Sequence, residues 1–169
     1  MRTLDFIGGI IILALLGFPL AVLVALGLRF DIEKSLVVGR GATPFWRRRL
    51  AFRPGSFVRL ASRIGLARIL DGVALLRGDL ALVGPRPLAP LAPHAVAAYR
   101  TALRPGVASP FVFRRWDHFG FDTEDAVDYD YTTNRSWARD LGILTHVLSA
   151  WVQAVAFPSS AIGRSKRAL

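Results

Sequence analysis

The chain contains no cysteine. That removes disulfides, cysteine-ligated zinc and thiol catalysis, and it fits a reducing compartment. Lysine is almost missing as well, with only Lys34 and Lys166. The three histidines, His94, His118 and His146, are far apart and show no metal-ligand spacing. Acidic residues are scarce, 12 against 22 basic ones, for a formal charge of +10. No internal repeat, low-complexity stretch or domain linker occurs. No nucleic-acid-binding motif accompanies the charge, so nucleic acid is not expected as a partner.

What is present is arginine, 20 residues of 169. Arginine stays charged in nearly any environment and grips phosphate at two points. The excess therefore points to a phosphate-rich partner: anionic lipid, lipid phosphate or nucleotide. Genomic base composition explains the same excess equally well. The length suits one compact domain plus an anchor.

From Phe6 to Leu28 no residue is charged. At about 1.5 Å per residue this run reaches across a bilayer core of about 30 Å. It is too long for the apolar core of a signal peptide, and no clean cleavage site follows it. Pro19 removes a backbone donor in the middle of the run. The segment is expected either to span with a kink or to enter one leaflet, break near Phe18-Pro19 and return. Arg29, Lys34, Arg40 and the Arg47-Arg48-Arg49 run follow it, so the bulk of the chain is expected on the cytoplasmic face. Residues 1–30 read as a membrane anchor, 31–160 as a cytoplasmic domain and 161–169 as a basic tail.

Residues 29–55 read as a short strand, Ser35–Val38, followed by a basic loop punctuated by Gly39, Gly41, Pro44, Pro54 and Gly55. In that loop Trp46, Arg47, Arg48 and Arg49 suit lipid headgroups, each arginine contributing about 1 kcal/mol near an anionic leaflet; a solvated loop is the alternative. Residues 56–76 read as one amphipathic helix with Ser56 as N-cap, lying in the membrane interface or packing on the core. Arg77-Gly78-Asp79 is a structural turn before a strand at Leu80–Val83, which Gly84-Pro85 ends. A helix is expected over His94–Leu103, a strand over Val107–Phe113 and a final helix from Ser136 to about Val155. The acidic residues of 117–130 lack calcium-loop spacing and read as a solvated polar loop, with Asp128 and Asp140 used structurally.

Several of these segments together resemble the bacterial sugar transferases, monotopic phosphoglycosyl transferases that begin exopolysaccharide and glycoconjugate assembly. The most specific string is Leu76-Arg77-Gly78-Asp79-Leu80-Ala81-Leu82-Val83-Gly84-Pro85-Arg86-Pro87. Arg104-Pro105-Gly106-Val107 is similar to the family's Arg-Pro-Gly-Ile turn. Asp128, Tyr131, Asn134, Ser136, Asp140, Leu141, Ile143 and Leu144 fit its C-terminal pattern, and Pro19 matches its re-entrant helix.

The resemblance implies an α/β fold with a re-entrant or kinked anchor, interfacial helices and a small sheet. It implies location at the bacterial inner membrane. The family reaction passes a sugar 1-phosphate from a nucleotide sugar to polyprenyl phosphate, with magnesium and an Asp-Glu pair, through a phosphosugar-enzyme intermediate. In this chain the pair falls on Ala67 and Arg68. Asp71, about one helical turn on, is the fallback nucleophile. Arg86 and Arg104 match positions that meet phosphate.

The expectation is therefore a degenerate, non-catalytic relative, a pseudoenzyme without a cofactor. Arg68 either replaces the metal's charge in a phosphate pocket or points to headgroups or solvent. Such a protein would bind membrane lipid, polyprenyl phosphate or a nucleotide sugar and serve a protein partner in polysaccharide assembly. An active, magnesium-dependent transferase and a structural subunit of a membrane complex are the alternatives.

Overall fold

The computed structural model describes residues 2–55, 57–110 and 124–156. The N-terminal run forms helix α1 (Arg2–Ala25), with Pro19 inside it. The segment Thr3–Ala25 is long and apolar enough to cross a membrane. The helix continues through Phe18-Pro19 rather than ending there. Leu16 and Leu20 flank the proline and, with Leu23, pack against Ala61 and Leu66, which holds both halves on one surface.

That surface runs the length of α1. Near its start the Asp5 carboxylate accepts from the Leu82 N–H at 2.8 Å. One turn later Gly9 meets Gly72 backbone to backbone; a Cβ on Gly9 would stand 2.9 Å from the Gly72 carbonyl oxygen. The opposite face leaves Phe6, Ile7, Ile10, Ile11, Leu15 and Phe18 exposed.

Residues 30–52 correct the loop expectation. They form an antiparallel hairpin of β1 (Phe30–Val38) and β2 (Pro44–Phe52), joined by a 3-10 turn at Arg40–Ala42. Gly41 takes φ +67°, a left-handed value that glycine adopts at no steric cost. Two runs of nine residues around a Gly-Arg-Gly-Ala-Thr turn satisfy their backbone groups by pairing, which a basic loop could not.

Residues 56–76 are not one helix either. They divide into α2 (Val58–Arg63), a 3-10 turn at Leu66–Arg68 and α3 (Ile69–Arg77). The break is at Gly65, whose φ of +80° ends α2. Ser56, the expected N-cap, lies outside the described residues. Gly78, at φ +86°, closes α3, and the N–H groups of Gly78, Asp79 and Leu80 all reach the Ala74 carbonyl. The Arg-Gly-Asp sequence is thus the structural turn expected of it.

Strand β3 (Ala81–Val83) pairs in parallel with β4 (Gly106–Ala108). Its two faces are both covered: Leu82 lies against Gly8 of α1, and Val83 clusters with Ala108, Tyr131 and Ile143. The last two belong to α5 (Glu124–Thr133) and α6 (Trp137–Ala156), the latter close to the expected final helix. The helix expected over His94–Leu103 shrinks to α4 (Ala98–Thr101), because His94 sits at φ +56° and Ala97 is extended. The strand expected over Val107–Phe113 ends at Ala108, with Ser109 and Pro110 outside it, and the residues from Phe111 on lie outside the described part. The architecture is mixed: helices around two small two-stranded sheets.

Candidate functional site

The strand alternation of β2 sorts the Arg47-Arg48-Arg49 run onto two faces. Arg47 is 6% exposed, so it does not reach the headgroups expected for it. Its Nε donates to Asp71 Oδ1 at 2.8 Å and its Nη2 to Asp71 Oδ2 at 2.6 Å. Asp71 lies in the first turn of α3, where the helix dipole favours a carboxylate, and it is fully buried. A planar fork facing a carboxylate is the strongest geometry an ion pair offers.

Arg49 follows two residues on, half-buried on the same face, directly across from Glu33 in the hairpin register. Its Nε is buried without a hydrogen-bond partner among the described residues. Burial holds the guanidinium below its ordinary pKa; Arg47 and Arg68 push the same way, and Asp71 and Glu33 oppose them. Arg68, exposed at the N-cap of α3, completes the group. Three guanidiniums therefore share two carboxylates, of which Asp71 is wholly engaged by Arg47. The group therefore carries one positive charge more than its carboxylates balance.

The other face of the hairpin carries Trp46 and Arg48, both exposed, beside Leu36 and Lys34 across the register. Aromatic and basic side chains together suit a headgroup layer. The expected headgroup residues thus split: Trp46 and Arg48 face outward, while Arg47 and Arg49 face the domain.

The dyad positions fall in the turn before α3. Ala67 offers no ligand atom, Arg68 is a cation, and both oxygens of Asp71 are taken by Arg47. The side chains here do not fit the magnesium ion that the family resemblance implies. Among the described residues no group of three His, Asp or Glu side chains converges.

Arg68, Arg86 and Arg104 are not gathered in one place by α3. Arg68 caps its N-terminus, whereas Arg104 Nη1 approaches the carbonyl of Gly78 at its other end, at 3.5 Å. Nine residues of helix separate those ends by about 13 Å. Arg104 also pairs with Asp5 of α1 at 3.3 Å. Arg86 donates its backbone N–H to Asp128 at 3.3 Å, and its carbonyl accepts from Arg100 at 3.1 Å.

Arg100, which the sequence reading did not single out, is buried and binds Asp128 at 2.6 Å and Asp125 at 2.8 Å. Burial raises the Asp128 carboxyl above its ordinary value, against the pull of Arg100 and the Arg86 N–H. Asp130 pairs with Arg139, and Asp140 takes the Tyr131 hydroxyl at 2.5 Å and Arg135 at 3.0 Å. Asp125, Asp128 and Asp130 of the acidic segment are thus used in ion pairs; Asp117 and Asp122 lie outside the described residues.

The glycines of the two signature strings have a steric reason. A Cβ on Gly84 would stand 2.4 Å from the Arg104 carbonyl oxygen, and one on Gly106 would stand 2.2 Å from the Gly84 nitrogen. The Gly-Pro-Arg-Pro and Arg-Pro-Gly segments are pressed together at the end of the parallel pair. The Gly106 N–H donates to the Pro85 carbonyl at 2.9 Å. This crossing carries both strings by which the sequence resembled a family.

A family model described as bacterial sugar transferase matches residues 47–154. The match covers more than half of the chain, and the protein belongs to the bacterial sugar transferase family. No curated protein matches it.

Proposed function

We propose that this protein is a non-catalytic member of the family that holds a phosphate-bearing ligand through Arg49 and Arg68, without a metal. One observation carries the reading. Where the family uses two acids, this chain has Ala67 and Arg68, and its nearest carboxylate, Asp71, is locked by two hydrogen bonds from Arg47. A carboxylate so held does not attack phosphorus, whereas an under-neutralised arginine group attracts phosphate. The ligand class is polyprenyl phosphate, anionic lipid or a nucleotide sugar. The protein sits at the bacterial inner membrane by the exposed face of α1, with its domain on the cytoplasmic side. There it supports polysaccharide assembly together with a protein partner.

The test uses the full chain in detergent or nanodiscs with magnesium, polyprenyl phosphate and a panel of nucleotide sugars. No nucleoside monophosphate should be released, while polyprenyl phosphate should raise the unfolding temperature. Release that disappears in Asp71→Asn would establish an active transferase instead. Neither release nor stabilisation would leave a structural subunit.

A further inference from the structure

A second cationic place lies away from the Arg49–Arg68 group, where α1 ends. A cavity of about 250 Å³ opens there, bounded by Gly27, Leu28, Arg29, Arg53, Gly55 and Phe57. We propose that it binds the headgroup of an anionic glycerophospholipid. The inference rests on α1 being membrane-embedded, as proposed above, and is independent of the ligand assigned to Arg49 and Arg68.

Position is the first argument. Exposed apolar residues continue to the end of α1 and just beyond it, at Val22, Val24 and Leu26, next in the chain to the cavity residues Gly27 and Leu28. Acyl chains laid along these residues bring their phosphodiester to the first cations after the apolar run, Arg29 and Arg53. The volume is below the roughly 300–1,000 Å³ of sites that enclose whole drug-sized ligands. It suits a headgroup whose chains stay outside.

Chemistry is the second. Arg29 forms no ion pair among the described residues. Arg53 gives Nε and Nη2 to Asp31, and its Nη1 has no hydrogen-bond partner among the described residues. Arg53 is tied in place by its own N–H, which donates to the Arg29 carbonyl at 3.0 Å. The end of a helix normally repels an anion through its free carbonyls. Here Leu26, Gly27 and Leu28 donate to the carbonyls of Val22, Val24 and Leu23, which masks three of them. Leu28 and Phe57 supply an apolar wall for the glycerol end.

The full chain in a neutral detergent is titrated with short-chain phosphatidylglycerol, phosphatidylcholine and inorganic phosphate, with thermal unfolding as readout. Phosphatidylglycerol should stabilise the protein more than phosphatidylcholine does. Arg29→Gln and Arg53→Gln should each weaken that effect about tenfold in lipid concentration. Asp31→Asn, which frees Arg53, should strengthen it. Arg40→Gln removes the same charge at the far tip of the hairpin and should change nothing. Equal losses in Arg40→Gln and Arg29→Gln would reduce the effect to surface charge and overturn the site. So would stabilisation by inorganic phosphate that Arg29→Gln abolishes, since the site would then be a free-phosphate site. Flotation with vesicles of pure phosphatidylcholine separates the premises: a chain that stays in solution would sink the membrane reading and the site together. A chain that floats without discriminating the lipids in detergent would sink the site alone.

Discussion

Arg47 crosses from the hairpin to the third helix and gives two of its nitrogens to the two oxygens of Asp71, at 2.8 and 2.6 Å. A charged pair of this kind ties β2 to α3, and α3 in turn carries α1. Removing one member strands the other in a place without water.

Asp71→Leu or Arg47→Met alone should therefore cost about 3–5 kcal/mol of folding stability. The double change Arg47→Met with Asp71→Leu should cost less than either single loss, because no charge is left buried. Denaturant unfolding in detergent, arranged as a double-mutant cycle, measures this. Additive single losses would mean that the pair is not coupled.

Arg49 should show opposite effects on stability and on binding. Its guanidinium is partly desolvated among like charges, so Arg49→Leu should leave the ligand-free protein as stable as the wild type or more so. Loss of a charge-assisted hydrogen bond should weaken phosphate binding about tenfold or more. Arg68→Ala should also weaken binding, and unchanged affinity would remove Arg68 from the site. Calorimetric titration with polyprenyl phosphate beside thermal unfolding reads both quantities.

The acidic residues predict a pH profile with two opposing parts. Arg139 and Asn134 hold Asp130 below the usual carboxylate value of 3.8, so its stabilisation is present above that value and is lost as pH falls through the lower folded value. Asp128 is raised by burial, so the folded state keeps its proton longer than the unfolded one. Its contribution is full below 3.8 and declines as pH rises through the higher folded value. The stability of Asp128→Asn relative to wild type should therefore rise as pH increases above 3.8. Unfolding temperatures across that range test the sign, and a flat difference would show that Asp128 titrates as an ordinary carboxylate.

Glycine substitutions should divide sharply by place. Gly84→Ala and Gly106→Ala press a methyl group into backbone at 2.4 and 2.2 Å, which no side-chain movement relieves. Each should cost about 1–3 kcal/mol or more. Gly17 has nothing within 4 Å and lies inside α1, so Gly17→Ala should stabilise the helix by about 0.5–1 kcal/mol. Thermal unfolding of the three variants in one detergent compares them.

The hairpin shows what a local reading of residues overlooks. Phe30–Val38 and Pro44–Phe52 are two equal runs around a glycine turn, a pattern visible beforehand in principle. Three consecutive arginines mask the alternation of the strand in the linear pattern. Asp5, a lone acid before an apolar run, carries no local signal of its role, because its partners, Leu82 and Arg104, are 77 and 99 positions away.

The linear chain by itself settled the long uncharged segment, the glycine and proline turns, the excess of arginine and the absence of the acid pair at positions 67 and 68. All of these depend on composition or on neighbours a few residues apart. Which arginines are buried, that Asp71 is neutralised, that α1 is fastened along the domain and that Arg68 and Arg104 stand at opposite ends of one helix were decided by tertiary packing. Each of those depends on contacts between residues distant in the chain, and a charge acquires its role only when folding fixes what faces it and how much water remains.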